Sequence, residues 1–196
     1  MAPENPELRE LVNEMNRSKL AKRFKNGNRE YLNAEGEIFP SSVIPVIATS
    51  QTGTRRVFPM KWGFSRQQGG LLINARAETA ADKPAFRESW KKHRCVVPVS
   101  LYFEWEHDEK KKAGQKYALR PEGHELVRLA GLYRMEGGIP VFVILTRPAD
   151  SSLMWMHDRM PVMLREQDAE KWILPGTDPQ SCIAGCLTKV SWVKAV

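Results

Sequence analysis

Four stretches of this 196-residue chain put chemistry-bearing polar side chains where their neighbours are apolar. In SLMWMHDRMPVML, residues 152–164, His157, Asp158 and Arg159 stand side by side among methionines, a tryptophan and a proline. Imidazole is the side chain best suited to proton transfer near neutral pH. A guanidinium can hold a phosphate, and Asp158 can orient the ring or pair with the arginine. A satisfied core histidine is the alternative. In SLYFEW, residues 100–105, Glu104 lies within an aromatic-rich strand. A carboxyl in apolar surroundings has a raised pKa and works as a general acid or base, whereas a glutamate on the solvent face would do neither. NARAET, residues 74–79, follows the apolar run GLLI. On a strand Asn74, Arg76 and Glu78 share one face, a set suited to a polar, anionic ligand or to a solvated edge. In MKWGF, residues 60–64, Trp62 beside Gly63 offers a flat face. Such a face can stack a base of single-stranded nucleic acid, worth about 1–3 kcal/mol, or it can simply fill a core. A serine or metal hydrolase built on a His157–Asp158 pair is a further reading. It is awkward, because neighbours on a strand point to opposite faces.

The elements that must position these residues are mostly strands. ENPELRELVNEMNRSKLAKRF carries Leu8, Leu11, Val12 and Met15 at helical spacing, with Asn5 as N-cap and Pro6 at the first helical position. DKPAFRESWKKHR predicts a helix with Asp82 at its start and Pro84 in its first turn, and REQDAEKWIL a short one. FPSSVIPVIA, MKWGF, GLLINAR, KYALR and LVRLAGLYR predict extended segments. CVVPVSLYFEW reads as one strand, and CLTKVSWVKAV as a closing one. IPVFVILTR is a continuous apolar run, which predicts a strand buried on both faces. Strands outnumber helices and lie close together in sequence. The expected fold is α+β, a mostly antiparallel, barrel-like sheet with a few flanking helices, in one domain over residues 1–196. There is no P-loop or dinucleotide fingerprint.

A net charge of +7, from 30 Lys and Arg against 23 Asp and Glu, favours an anionic partner such as nucleic acid. No run of about 18 apolar residues predicts a membrane span, and the opening MAPENPELRE does not look like a secretory signal. The cysteines, Cys95, Cys182 and Cys186, are odd in number and suit a reducing compartment. The expectation is a cytoplasmic protein. Cys182 and Cys186 are four apart, but a structural zinc needs about four ligands and the histidines show no matching spacing. No metal and no cofactor are expected.

In this order and at these separations, MKWGF, NARAET, CVVPVSLYFEW and MHDRMPVML resemble the SRAP family, the SOS response-associated peptidases or abasic-site processing proteins. EIFPSSVIPVI fits the family's early extended segment. The resemblance implies binding to single-stranded DNA at an abasic site and a covalent DNA–protein crosslink that shields the lesion. It implies a cysteine after the initiator methionine, in an MCGR-type start, exposed by removal of the residues before it. The cysteine's α-amine would form an imine with the opened sugar aldehyde, and its thiol would close a thiazolidine. By the same resemblance Glu104 is the acid/base for removing the N-terminal residue and opening the sugar. His157 serves the developing sugar oxyanion, and Asn74 positions the reacting N-terminus. Arg76 and Arg159 hold the flanking phosphates, and Trp62 lies beside the DNA path.

The chain departs from the family at its start. Position 2 is Ala2, and a cysteine inside the chain has no free α-amine with which to make a thiazolidine. Two readings follow. Either an opening strand beginning MCGR precedes this sequence, or the protein binds single strands and lesions without crosslinking. The first is preferred, because the later motifs are all present and a retired site has little reason to keep Glu104 and His157, while Leu101, where many relatives carry glycine, favours the second. Without the opening strand the sheet is expected to have an open edge that invites pairing between chains.

Overall fold

The computed structural model describes residues 5–25, 36–50, 52–107 and 113–195. Ala2 therefore lies outside the described residues. Helix α1 (Pro6–Arg17) begins as its sequence dictates: the Asn5 side chain accepts the Leu8 N–H at 3.2 Å, and Pro6 opens the first turn. Leu8, Leu11 and Met15 form its buried stripe. A short α2 (Ala21–Lys25) follows.

The strands come next in the chain: β1 (Val43–Thr49), β2 (Arg55–Trp62), β3 (Phe64–Ser65), β4 (Leu71–Leu72) and β5 (Asn74–Arg76). Helix α3 (Arg87–Lys92) separates these from β6 (Arg94–Val99), β7 (Tyr102–His107), β8 (Ala113–Pro121), β9 (Val127–Glu136) and β10 (Ile139–Pro148). A 3-10 turn (Ser151–Leu153) leads to β11 (Arg159–Pro161) and β12 (Met163–Leu164). Helices α4 (Glu166–Trp172) and α5 (Pro179–Ala184) and strand β13 (Val190–Lys194) complete the described fold.

The strand order β10–β2–β1–β6–β9 closes on itself because β9 also pairs with β10. The closed ring of a barrel removes the open edges a flat sheet would leave. β1 and β2 form an antiparallel hairpin in register from Val43↔Lys61 to Thr49↔Arg55. β6, β9 and β10 form an antiparallel meander. Hairpin and meander meet along two short junctions, Ile47↔Val96 with Ala48↔Cys95, and the parallel pairs Val141↔Lys61 and Phe142↔Trp62. A second sheet, β13–β8–β7, lies outside the ring. The expected α+β, largely antiparallel barrel is what the chain forms.

Alternate barrel residues feed two cores. Ile47, Val57, Val96, Leu132, Val141 and Val143 pack with Leu8, Leu11 and Met15 of α1 and with Trp90 and Trp172. Ile44, Val46, Met60, Val97, Leu129 and Phe142 pack with Tyr117 and Leu119 of β8 and with Leu153, Met156 and Met160. This double burial is why IPVFVILTR is apolar at nearly every position. Gly131 sits where β9 passes closest to its neighbours: a Cβ there would meet Cys95 Sγ and the Val143 carbonyl oxygen at 3.0 Å each. Gly131→Ala is expected to destabilise the fold by about 1–3 kcal/mol, measured as a lower urea midpoint with an unchanged slope.

Three sequence expectations are revised. CVVPVSLYFEW is two strands in two sheets, β6 in the barrel and β7 outside it. The ladder between β6 and β9 runs out at Val99↔Val127, where β9 begins, so the chain bends at Ser100 and β7 pairs with β8 instead. The helix foreseen over DKPAFRESWKKHR is confined to Arg87–Lys92. Pro84 has no N–H to donate, and Phe86, at φ −124°, is outside the helical region. Helix α5 went unforeseen although its start is legible: Asp178 accepts the N–H groups of Gln180 and Ser181, and Pro179 opens the turn. No helix among the described residues is long and apolar enough to cross a membrane.

Candidate functional site

One strand gathers most of the predicted residues. On one edge of β10, Trp62 is level with Phe142, Asn74 with Ile144 and Arg76 with Thr146. On the other edge Arg159 is level with Pro148 and Pro161 with Thr146. Along β5 the alternation is as expected: Ala75 is buried while Asn74 and Arg76 are exposed. Glu78, just beyond, is also exposed. Arg159 reaches across β10 to meet it, with Nη1 donating to Oε1 at 2.5 Å and Nη2 to Oε2 at 2.9 Å. Thr146 Oγ1 accepts from the same Nη2 at 3.3 Å. The Arg159 hydrogen bonds hold the Glu78 carboxyl below its usual range.

Trp62 is half-buried. Its ring lies parallel to Phe142, centroids 6.4 Å apart, and Nε1 donates to the Ile73 carbonyl at 3.0 Å. The tryptophan therefore belongs to the core on that side, and Gly63, at φ +116°, turns the chain away next to it.

Glu104 comes from the second sheet, level with Tyr117 on β8, and its Oε1 accepts the Trp105 N–H at 3.2 Å. His157 follows the 3-10 turn, and its backbone N–H donates to Leu153 at 3.1 Å. Its Nδ1 accepts the Arg159 N–H at 2.9 Å and also lies 3.1 Å from Asp158 Oδ1. These two contacts ask opposite things of Nδ1. The backbone N–H always carries a hydrogen, so the neutral ring holds its own proton on Nε2. Asp158 becomes a partner of Nδ1 when the ring is protonated. The awkwardness expected of neighbours on a strand does not apply here, because His157 and Asp158 precede β11 at a bend.

Glu104, His157 and Arg159 line one small cleft with Tyr102, Leu119, Leu153 and Met156. Its volume is about 10 Å³, room for a single oxygen-sized group. Arg159 thus joins two clusters: the cleft, and through Glu78 the β5 face with Asn74 and Arg76. Tyr102 is a site residue that the sequence reading left as part of an aromatic strand. Its proximity to the site was signalled only by its i, i+2 spacing from Glu104, which puts both on one face. Burial, helped by the Glu104 charge, raises the Tyr102 pKa and keeps the phenol protonated.

A group of aromatic rings braces the cleft. Trp155, Trp192 and Tyr117 meet edge to face at 5.3–5.4 Å, pinning the segment before His157 to β8 and β13. The cysteines lie elsewhere. Cys95 and Cys182 are buried, and burial pushes both thiols up. Among the described residues no group of three or more His, Cys, Asp or Glu side chains could hold a metal ion.

Known proteins resemble this chain. The family model described as SOS response associated peptidase (SRAP) matches residues 9–194. Abasic site processing protein YobE of Bacillus subtilis is 34% identical over 163 residues, 74% of this chain and 74% of that protein. Abasic site processing protein YedK of Escherichia coli is 31% identical over 145 residues, 68% of this chain and 65% of that protein. A crystal structure of a Bacteroides thetaiotaomicron protein superposes with a TM-score of 0.69 at 22% identity, covering 96% of this chain and 88% of that one, and so shares the fold. With a family match running through the barrel, the second sheet and every residue of the cleft, the chain belongs to the SOS response associated peptidase (SRAP) family.

Proposed function

We propose that this protein processes abasic sites in single-stranded DNA, with Glu104 and His157 as the proton-transfer pair. The observation that carries the reading is their presence in one cleft although Glu104 comes from the second sheet and His157 from the loop ahead of β11. Relatives bearing the name abasic site processing protein support it, as does the net charge of +7. Arg76, exposed beside the cleft, takes a phosphate. Arg159 has both terminal nitrogens on Glu78, so it contacts a phosphate only if that pair opens. Trp62 supports the strand path from the barrel seam. A DNA substrate places the protein in the cytoplasm, on the nucleoid in a bacterium.

The covalent form of the reaction needs an N-terminal cysteine, positioned by Asn74. Its α-amine adds to the sugar aldehyde and water leaves, giving an imine. The thiol then adds across the C=N bond to close a thiazolidine. Glu104 accepts and returns the proton as the sugar opens and as the cysteine is freed from preceding residues. His157 donates its Nε2 proton toward the developing oxyanion. The second reading is non-covalent binding of lesions and single strands, supported by the net charge of +7.

A denaturing gel separates the two. This chain and a version prefixed with Met-Cys-Gly-Arg are incubated with single-stranded DNA bearing one abasic site. A heat-stable shifted band only for the prefixed version is expected. With no band for either and salt-sensitive binding intact, the non-covalent reading stands, with a slope of about −0.7 per phosphate contacted. If binding is absent or indifferent to salt, both readings fall.

A further inference from the structure

One carboxylate serves both of the arginines that flank β10. Arg76 is level with Thr146 on one edge of the strand, and Arg159 reaches Thr146 Oγ1 from the other. Glu78 lies two residues beyond Arg76, and its two oxygens accept from the two terminal nitrogens of Arg159. The Arg159 hydrogen bonds, and to a lesser degree the Arg76 charge, hold this carboxyl ionised against its partial burial.

The two partners are unequally exposed. The Arg159 side chain is 17% exposed and the Glu78 side chain 43%. Arg159 Nε is buried, and Nη1 and Nη2 are the atoms that Glu78 covers. A phosphate arriving from solvent therefore meets Glu78 before it meets the guanidinium, and meets it as a like charge. The carboxylate also sits as a phosphate would, with two oxygens against two parallel N–H groups.

We propose that Glu78 is an internal stand-in for a DNA phosphate, holding Arg159 until a strand anchored on Arg76 displaces it. This rests on the function proposed above. No covalent bond changes. The carboxylate swings out to be hydrated, and two phosphate oxygens take over Nη1 and Nη2. Ion pairs reached by water are held weakly, so the exchange is open to a bound strand. A lone anion gains little by replacing one charged partner of Arg159 with another. A strand already held at Arg76 presents its next phosphate at high effective concentration, and the exchange happens within one complex. Glu78 thereby makes Arg159 answer to a strand and not to any passing anion.

The test measures the affinity of this chain for a fluorescein-labelled oligothymidine at low salt, by anisotropy. Glu78→Gln keeps the size of the side chain and removes its charge, and it is expected to tighten binding about fivefold. Glu78→Asp keeps the charge but is one methylene too short for the paired contact. It is expected to tighten binding about threefold, and it serves as the second variant should the first not fold. In an Arg159→Gln background, the effect of Glu78→Gln is expected to fall to a ratio close to one. A gain of equal size in both backgrounds makes Glu78 one more negative charge near the DNA path and overturns the proposal. An affinity unchanged by either substitution also overturns it and leaves the DNA reading intact. A lowered urea midpoint alongside would then show that the pair serves the fold alone. If neither the unaltered protein nor its Glu78 variants bind the strand, the proposed function and the stand-in fall together.

Discussion

Glu104→Gln, in a chain carrying an N-terminal cysteine, is expected to slow crosslinking to abasic single-stranded DNA by about 10²-fold or more, in the range for loss of a general acid or base. The substitution keeps the shape of the side chain and its ability to accept the Trp105 N–H. It removes only the capacity to take and return a proton. Affinity for intact single strands should be unchanged or stronger, since a negative charge leaves a site facing phosphates. Single-turnover rates on denaturing gels check the first half and fluorescence anisotropy the second. Equal rates for the two proteins would remove Glu104 from the mechanism. Loss of rate and affinity together would make its role one of folding or binding.

Arg94→Ala is expected to have the largest effect on stability, about 3–5 kcal/mol, in the range for stripping a buried charged group of its place. Arg94 is 5% exposed, and its guanidinium is spent on carbonyl oxygens. Nε donates to Trp172 at 2.7 Å, and Nη1 to Trp90 at 3.0 Å and Lys91 at 3.2 Å. Nη2 donates to Leu174 at 2.7 Å and Thr177 at 3.2 Å. The acceptors are the ends of α3 and α4 and the loop toward α5, so one side chain fastens two helices and a loop to β6. Alanine would leave these oxygens without their donor. Burial lowers the Arg94 pKa, but an arginine keeps its proton in a protein. Lysine should not rescue the loss, because an ammonium cannot reach carbonyls spread around a planar fork. Urea unfolding followed by circular dichroism measures the change. A loss below about 1 kcal/mol would mean that water replaces the arginine without penalty.

The fold class was legible because local signals marked several of its elements. Asn5 and Pro6 announce α1, and the alternation of NARAET survives in β5, with Ala75 buried between Asn74 and Arg76. What the sequence hid depends on distant pairing. Nothing within CVVPVSLYFEW marks where β6 ends, because the limit is the start of β9 at Val127. That break carries Glu104 out of the barrel and back over His157, and it gives Tyr102 its place in the cleft. The Arg159–Glu78 pair was hidden for a related reason. Glu78 and Arg159 are 81 residues apart and become neighbours only because β5 and β11 flank β10.

The unequal junctions of the barrel have a consequence for how the molecule breathes. Hairpin β1–β2 is zipped through seven register pairs, and each of the two meander junctions through six, while the ring is completed by two junctions of two pairs each. The barrel is thus a pair of shells clasped at two narrow seams, and amide hydrogen exchange should be fastest to open there. One seam is Val141↔Lys61 and Phe142↔Trp62. If DNA lies against Trp62 as proposed, it rests on that seam, and its binding should slow exchange of the seam amides first.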